Sequence, residues 1–228
     1  MSEFFRFPHT PHLAWLGEGS PRDDKLLARD EVEALLEDEV AVEEKLDGAN
    51  LGISWGANGQ LQAQNRGAYL EPPFRGQFSR LNQWLMSRMA VFQERLPLDV
   101  IVFGEWCAAR HSLDYRRLPD WFLVFDMYDR EAKRFWSRDR RDALIRTLGL
   151  VGVPLIATGR FTVEELTILV RTRRSDYRDG GIEGIVIRQD GPLWCQRRAK
   201  LVHPEFAQQM GSHWRSRALE WNKLGAGM

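Results

Sequence analysis

Lys45 is the residue whose surroundings most favour chemistry. It lies in the segment Glu44-Lys45-Leu46-Asp47-Gly48-Ala49-Asn50, directly after an alternating stretch that predicts a β-strand. Gly48 permits a tight turn or a close backbone approach at this point. A lysine held among apolar neighbours loses its proton more readily and becomes a nucleophile. The alternative is an ordinary surface lysine in a turn, because Lys-x-Asp-Gly alone often arises by chance.

Two carboxylates and two cations occupy other predicted strands. Glu105 lies in an apolar run, where a carboxylate is costly unless it pairs, binds a metal or accepts hydrogen bonds. Glu183 lies at a turn–strand junction between glycines. Arg198 and Lys200 alternate along a strand, so both point to one face and can converge on a phosphate. The alternatives are the exposed end of a strand for Glu105 and a solvated basic face for the two cations.

These residues form one chemically coherent set. A lysine supplies a nucleophile, two carboxylates suit a Mg²⁺ ion that also meets phosphate oxygens, and the cations neutralise an α-phosphate. Phosphoryl-type transfer mostly needs positioning and charge stabilisation of this sort. The set therefore indicates transfer of a phosphate-containing group.

The pattern of helices and strands that would position this set predicts an α+β protein. The 228 residues suffice for one large domain or two small ones, and an ordered extended arm is predicted over the first 20 residues. Predicted helices cover residues 30–38, 77–95, 139–148, 162–173 and 204–224, and predicted strands cover residues 40–44, 51–55, 61–64, 100–106, 121–128, 184–188 and 193–202. Helices segregated from antiparallel hairpins are typical of the α+β class.

The composition of the chain bears on its partners and on its location in the cell. The chain is 43% hydrophobic and 28% charged, with zero formal net charge, so a nucleic-acid partner would need a local basic surface. Two cysteines outside any Cys-x-x-Cys spacing favour a reducing cytosol over a zinc site or disulfides. No apolar run reaches the length of a membrane span, and the N-terminus lacks a signal-peptide pattern. We therefore predict a cytoplasmic location and no membrane partner.

The order of the motifs resembles the covalent nucleotidyltransferase superfamily of ATP-dependent DNA ligases, RNA ligases and capping enzymes. It is most similar to the RNA-ligase branch that includes the phage RNA ligase 2 type and the kinetoplastid editing ligases. The resemblance runs from the Phe7-Pro8-His9 arm to about Val202. Asn50, five residues after Lys45, matches an asparagine of that branch.

The resemblance implies a fold, a domain plan and cofactors. The implied fold is an ATP-grasp-like nucleotidyltransferase domain of antiparallel sheets flanked by helices, and because only about 26 residues follow Val202 we expect no OB domain. Residues 1–228 would form this single adenylation domain, with the N-terminal arm 1–20 and a C-terminal helical tail 204–228. The implied cofactors are ATP and Mg²⁺, with Mn²⁺ as an alternative.

The resemblance also implies site residues. Lys45 would be the adenylated nucleophile, and Glu183 and Glu105 would be the metal ligands. The implied nucleotide-binding residues are Glu44 at the adenine edge, Asp47 and Asn50 near phosphate or the neighbouring loop, Arg66 at the ribose or 5′-phosphate, Glu105 at the ribose hydroxyl, Phe125 stacked on adenine, Glu183, and Arg198 and Lys200 at the α-phosphate. For Phe125 the alternative is an ordinary core position. Arg198 departs from the Lys-x-Lys pattern of the branch, and arginine keeps the charge but not the compact point contact.

The implied reaction is ligation in three steps. Lys45 takes AMP from ATP, AMP passes to a 5′-phosphate, and a 3′-hydroxyl displaces it to seal an RNA, or alternatively a DNA, strand. The expected grip on nucleic acid comes from Arg110, Arg116, Arg117 and the stretch Arg171 to Arg178, and a kinase or phosphatase partner would prepare the ends. The alternatives are a DNA-nick ligase, a capping-type guanylyltransferase and a catalytically silent nucleic-acid-binding module.

Overall fold

The computed structural model describes residues 4–19, 25–209 and 219–225. The chain divides into two compact units. Unit 1 consists of Met1–Phe7, Gly48–Gly152 and Ala218–Met228, and unit 2 consists of Pro8–Asp47 and Val153–Arg217. Each unit has its own sheet and is described separately.

Helices and strands alternate irregularly along the chain. The helices are α1 (Arg29–Leu36), α2 (Leu81–Met86), α3 (Met89–Arg95), α4 (Arg138–Leu148), α5 (Val163–Thr172) and α6 (Pro204–Gln209). The strands are β1 (Val40–Lys45), β2 (Ala49–Trp55), β3 (Leu61–Gln64), β4 (Tyr69–Leu70), β5 (Val100–Trp106), β6 (Phe122–Asp129), β7 (Arg134–Phe135), β8 (Val151–Gly152), β9 (Leu155–Gly159), β10 (Gly184–Asp190) and β11 (Cys195–Val202). Within the described ranges, no helix is long and apolar enough to cross a membrane.

Unit 2 is an antiparallel sheet of order β11-β10-β1-β9 with α1 and α5 on one face. Alternate strand residues supply that face, because successive side chains of a strand point to opposite sides. The core residues are Val40, Val42, Ile185, Ile187, Ala199 and Leu201 from the strands, with Leu35, Leu166 and Val170 from the helices. The predicted start of α5 is confirmed, since Thr162 Oγ1 accepts from the Glu165 backbone in a capping box. The opposite face carries charged residues, among them Glu43, Lys45, Arg188 and Lys200.

Unit 1 is a larger sheet of order β4-β3-β2-β5-β6-β7, with β8 parallel to β6. Trp84 of α2 packs edge-on against Trp106 and Phe122, which lie on one face of this sheet. The other face carries an aromatic cluster in which Phe7, from the N-terminal arm, is buried against Phe103. The arm therefore contributes to the core of unit 1.

The single helix predicted over residues 77–95 was wrong. The segment forms a 3₁₀ turn, Gly76–Phe78, followed by the two short helices α2 and α3. At the break, the Ser87 hydroxyl donates to the Trp84 carbonyl, and this side-chain bond competes with continuation of the helix. The apolar spacing persists across the break, which explains why periodicity alone did not reveal it.

The C-terminal segment also departs from the predicted helix. A helix begins at Pro204 as expected and is described to Gln209. Residues 210–218 lie outside the described residues. Leu219–Gly225, which we call the C-terminal strap, is not helical and instead forms bridges from Trp221 to Ala109 and from Leu224 to Leu118.

Asn222 is the most buried residue of the C-terminal strap, with 4% of its surface exposed. Its Nδ2 donates to the carbonyls of Cys107 and Ala109, and its Oδ1 accepts from the Tyr115 amide. Asn222→Ala would leave these buried backbone groups unsatisfied, and we expect the free energy of unfolding to fall by about 3 kcal/mol.

Urea denaturation of both proteins measures the change. Asn222→Asp keeps the acceptor for Tyr115 but turns a carboxylate oxygen toward the carbonyls of Cys107 and Ala109, so it should be at least as destabilising as Asn222→Ala. A loss below about 0.5 kcal/mol, the usual range for surface substitutions, would contradict the role assigned to Asn222.

Candidate active site

Lys45 ends β1 and is held by a carboxylate from a distant part of the sequence. Its Nζ lies 2.6 Å from Oε1 and 2.7 Å from Oε2 of Glu183. The pairing of β1 with β10 creates this contact, since Lys45 lies opposite Gly184 and Glu183 precedes that glycine. The two side chains are 27% and 11% exposed, so the ion pair is largely removed from water.

Burial raises the pKa of the Glu183 carboxyl from 4.5 to about 7. Attraction to Lys45 and Lys200 acts in the opposite direction, while repulsion from Asp47 adds to the effect of burial. A carboxylate with a pKa near neutrality can hold or release a proton at physiological pH. Glu183 therefore has the chemistry of a proton acceptor for the lysine it touches.

Lys200 lies on the same face of the unit 2 sheet as Lys45. The register places Glu43 across from Val186 and Val186 across from Lys200, while Arg198 lies across from Arg188. The prediction that Arg198 and Lys200 share a face agrees with this register. The N-terminal arm fixes the backbone here, because the Lys200 amide donates to Pro11 and the Leu13 amide donates to Lys200.

Glu44 lies on the opposite face of β1 from Lys45. It is 3% exposed and lies across from Ile185, a residue of the helix-covered core. Its neighbours include Ser175 and Arg173, and Oε1 has no hydrogen-bond partner among the described residues. Burial, the largest cause, raises the pKa of this carboxyl to about 7. Contact of Glu44 with adenine stays a prediction.

Glu44 predicts a pH-dependent stability. Its pKa is 4.5 in the absence of the fold and about 7 in it, so the native state binds the extra proton between these values. The stabilisation that this raised pKa contributes to the folded state is fully present below about pH 4.5 and is lost as the pH rises through about 7. Relative to Glu44→Gln, wild type should lose about 3 kcal/mol of unfolding free energy over that range.

Urea denaturation of both proteins at pH 4.5, 6 and 8 measures this difference. Other titrating groups are common to the two proteins and cancel in the comparison. A difference that is constant across these pH values would show that folding does not raise the pKa of Glu44.

Gly48 is required by a close approach of backbone within unit 1. A Cβ at this position would lie 2.6 Å from the Trp106 carbonyl oxygen and 3.1 Å from Cγ of Glu105. The glycine of the Lys-x-Asp-Gly segment thus lets the chain pass directly against the end of β5. Asp47, one residue earlier, belongs to unit 2 and acts electrostatically on Glu183.

Unit 1 brings Asn50 and Glu105 together. They lie directly opposite one another on β2 and β5, so their side chains share one face of the sheet. Oδ1 of Asn50 is buried without a hydrogen-bond partner in the described part of the chain. The Asn50 oxygen and the neighbouring Glu105 carboxylate are acceptors that suit a ligand with hydroxyl donors.

Arg66 and Phe125 also belong to unit 1. Arg66 lies between β3 and β4 in a turn that Asn65 stabilises by accepting from the Gly67 and Ala68 amides. Its Nε is buried and has no partner within the described ranges. Phe125 is partly buried, and its ring packs edge-on against Phe7 with centroids 5.3 Å apart.

Carboxylates that could hold a metal are sparse. In the described ranges, no group of three or more His, Cys, Asp or Glu side chains is placed to bind an ion. Mg²⁺ seldom uses such a cage and is usually held by one or two carboxylates together with substrate phosphates. A single buried carboxylate such as Glu183, with Asp47 nearby, fits that mode of binding.

Several charged residues that the structure buries were not singled out from the sequence alone. Arg188 and Arg141 are each only 1% exposed, and Glu43 is also 1% exposed. The alternation of Ile185 and Ile187 places Arg188 on the opposite face of the strand, beside Arg198, and that position is a signal that could have identified it. Arg141 gives no such signal, because one arginine among several on a helix does not show which face is buried.

The predicted basic surfaces consist partly of ion pairs. Arg110 contacts Glu220 at 2.6 Å, Arg116 contacts Asp114 at 3.1 Å and Arg173 contacts Asp176 at 3.4 Å. A role in gripping nucleic acid therefore requires these arginines to exchange carboxylates for phosphates, and it stays a prediction.

Comparison with known proteins identifies the family. The chain is similar to an archaeal ATP-dependent RNA ligase, with 24% identity over 90% of this chain and 49% of that one and a TM-score of 0.62. It is also similar to a variant of the Naegleria gruberi RNA ligase solved with ATP and Mn, with 18% identity over 89% of this chain and 63% of that one and a TM-score of 0.64. No curated protein matches the chain.

These similarities confirm the predicted fold of antiparallel sheets flanked by helices, and the chain spans 49% to 63% of those two solved structures. The RNA ligase family model matches residues 38–202, which include both strands that bear Lys45 and Lys200. The chain belongs to the RNA ligase family.

Proposed function

We propose that this chain is the adenylating part of an ATP-dependent RNA ligase and that Lys45 carries AMP. The observation that supports this most directly is Lys45 Nζ held by both oxygens of buried Glu183, on a sheet face that also bears Lys200. Family membership and similarity to RNA ligases solved with ATP and Mn, or with pyrophosphate, agree with it. We further propose that units 1 and 2 function together as one adenylation domain.

The first step needs a neutral amine. Lys45 gives a proton to Glu183, whose raised pKa allows it to accept one near neutral pH. The amine attacks the α-phosphorus of ATP, so that an N–P bond forms. The bond from the α-phosphorus to the bridging oxygen breaks, and pyrophosphate leaves with the second proton that the nitrogen loses. Lys200 and Arg198 carry the positive charge that stabilises the α-phosphate during this exchange.

Glu105 in unit 1 and Glu183 in unit 2 keep their proposed roles as metal ligands, and Glu183 would take this role after it has passed the Lys45 proton to solvent. A bound Mg²⁺ or Mn²⁺ would neutralise phosphate charge and assist the departure of pyrophosphate. In the free protein Glu183 holds Lys45 in place, and release of that contact frees the amine.

Unit 1 supplies the proposed contacts to the nucleoside. The buried acceptor of Asn50 and the neighbouring carboxylate of Glu105 suit the hydroxyl donors of a ribose. Arg66 is proposed to contact the ribose or a 5′-phosphate, and Phe125 to stack on adenine. Asp47 is proposed to organise the loop that follows Lys45, and Glu44 to contact the adenine edge.

The proposed acceptor is an RNA 5′-phosphate end, which receives AMP and is then joined to a 3′-hydroxyl. Exposed arginines such as Arg116 and Arg117 would contact its backbone. A kinase or phosphatase that prepares ends, and a cytoplasmic location, remain part of the proposal. DNA ends and capping are the alternatives that an experiment must separate.

The test is the intact mass of the protein after incubation with ATP and Mg²⁺ or Mn²⁺, followed by addition of nicked RNA or nicked DNA. An AMP adduct that is discharged by RNA supports the proposal. An adduct formed with GTP in place of ATP would favour capping chemistry, and discharge by DNA alone would favour a DNA-nick ligase. Binding of RNA without an adduct from either nucleotide would overturn the enzymatic proposal in favour of a silent binding module.

A further inference from the structure

Strand β6 contains one residue more than its partner β5 at the position of Phe125. Phe103 lies opposite Asp126, whereas the next residue, Gly104, lies opposite Val124. Phe125 is therefore the extra residue of a β-bulge. Bulges bend a strand and redirect a side chain, and they are frequent beside active sites. The direction of the Phe125 ring thus depends on what holds the bulge.

Arg141 of α4 holds the bulge through a hydrogen bond to its backbone. Its guanidinium is 1% exposed, and Nη1 donates to the Phe125 carbonyl at 2.7 Å. Nε and Nη2 of the same group lie 2.9 Å and 2.8 Å from Oδ1 of Asp142. Asp142 is itself fixed by Arg138 at 3.0 Å. A planar guanidinium bound at three points has little freedom, so the carbonyl it contacts is fixed as well.

The N-terminal arm fixes the ring of the same residue. Phe7 is 4% exposed and packs edge-on against Phe125 at 5.3 Å and against Phe103 at 4.9 Å. Phe125 therefore has its backbone held by α4 and its ring held by the arm. Dispersion contacts weaken steeply when two surfaces separate by as little as ~0.5–1 Å. Small movements of this bulge would consequently change how well the ring stacks on a base.

We propose that Arg141 is a positioning residue for the nucleotide, which fixes the Phe125 bulge so that the ring meets the adenine of ATP. This inference rests on the proposed function, in which Phe125 stacks on adenine. Arg141 touches no substrate atom itself and acts through the Phe125 backbone. It should therefore affect the affinity for ATP much more than the chemical step at Lys45.

The test compares KM for ATP in formation of the AMP adduct between Arg141→Lys and Arg146→Lys. Lysine at position 141 cannot bind Asp142 and the Phe125 carbonyl in the same fork. We expect KM to rise roughly 10-fold, on the scale of a lost base–aromatic stack, while the rate at saturating ATP stays within about twofold. Arg146→Lys changes an exposed arginine in the last turn of the same helix, and its KM should match wild type.

A double-mutant cycle with Phe125→Ala shows whether Arg141 acts through the ring. Phe125→Ala alone should raise KM, and adding Arg141→Lys should then change KM by less than about twofold. An equal effect of Arg141→Lys in both backgrounds, or a lower melting temperature with unchanged KM, would overturn the inference. If Arg141→Lys does not fold, Asp142→Asn loosens the same fork and should raise KM about threefold, and an unchanged KM would equally overturn it.

The proposed function and this inference fail in different ways. If wild type forms no adduct, the proposed function is wrong and this inference falls with it. If wild type forms the adduct but Phe125→Ala leaves KM for ATP unchanged, Lys45 chemistry stands and the role of Arg141 alone is rejected.

Discussion

Lys45→Arg should abolish the protein–AMP adduct, with a loss of more than about 10,000-fold in the rate of its formation, the scale on which removal of a covalent nucleophile acts. Arginine keeps a positive charge beside Glu183, so the ion pair that anchors the end of β1 can persist. The guanidinium, however, is not deprotonated in proteins and has no free electron pair to attack phosphorus. The measurement is intact mass after incubation with ATP and the metal ion.

Lys25→Arg is the matched control for this substitution. Lys25 is also a lysine of unit 2 paired with a glutamate, Glu31, but its side chain is 64% exposed. Its replacement should leave adduct formation at the wild-type rate. An adduct that persists in Lys45→Arg would assign the nucleophile to another residue, and digestion followed by peptide mass would locate it.

Glu183→Gln should lower the rate of adduct formation by about 100- to 10,000-fold, which is the range for a positioned proton acceptor. Glutamine has nearly the same shape and can still contact Lys45, but it cannot take up a proton or carry the negative charge that a metal ion requires. Removal of the charge also lowers the proton affinity of Lys45. If Glu183 were only an ion-pair partner, the variant would therefore react faster at low pH.

The pH profile separates these two roles of Glu183. Its pKa is raised to about 7, and the ionised form is the active one in the proposed mechanism, so the wild-type rate should fall as the pH drops below about 7. In Glu183→Gln this fall in rate below about pH 7 should be absent, and the activity itself should be low. Glu183→Asp keeps a carboxylate on a shorter side chain. It should show an intermediate rate that still falls at low pH. A rate for Glu183→Gln equal to or above wild type would refute the assignment.

Local pattern predicted most elements of this fold because each depends on neighbouring residues. The alternation of Val40 to Glu44 predicted β1, and the Asn58-Gly59 turn and Thr162 cap mark boundaries that the structure also has. Even the shared face of Arg198 and Lys200 follows from the two-residue period of a strand.

Long-range contacts lay beyond that reasoning. Lys45 and Glu183 are 138 residues apart, and only the pairing of β1 with β10 brings them together. The sequence singled out both residues by type and by resemblance, but it contained no evidence of the distance between them. The role of Arg141 could not be predicted either. The bulge that it holds is a shift in strand register, and no property of Phe125 in the sequence indicates that shift.

The C-terminal strap was missed because tertiary hydrogen bonds outweighed local helix propensity. Residues around Glu220 are compatible with a helix, and propensity differs between ordinary residues by less than ~1 kcal/mol each. Asn222 instead satisfies three buried backbone groups of residues 107–115. A side chain that bonds to a loop more than a hundred positions away cannot be recognised from its neighbours.

The strap also sets an order of events during biosynthesis. Unit 1 is assembled from three separate stretches of chain, and the last of them is translated only after nearly all of unit 2. At about 5–20 residues per second, the ribosome needs roughly 3 to 13 s to pass from residue 152 to the strap. During that interval the loop around Cys107 must rely on water for the bonds that Asn222 later supplies. The nascent chain thus completes its second unit before its first, and chaperones or proteases meet unit 1 in an unfinished form.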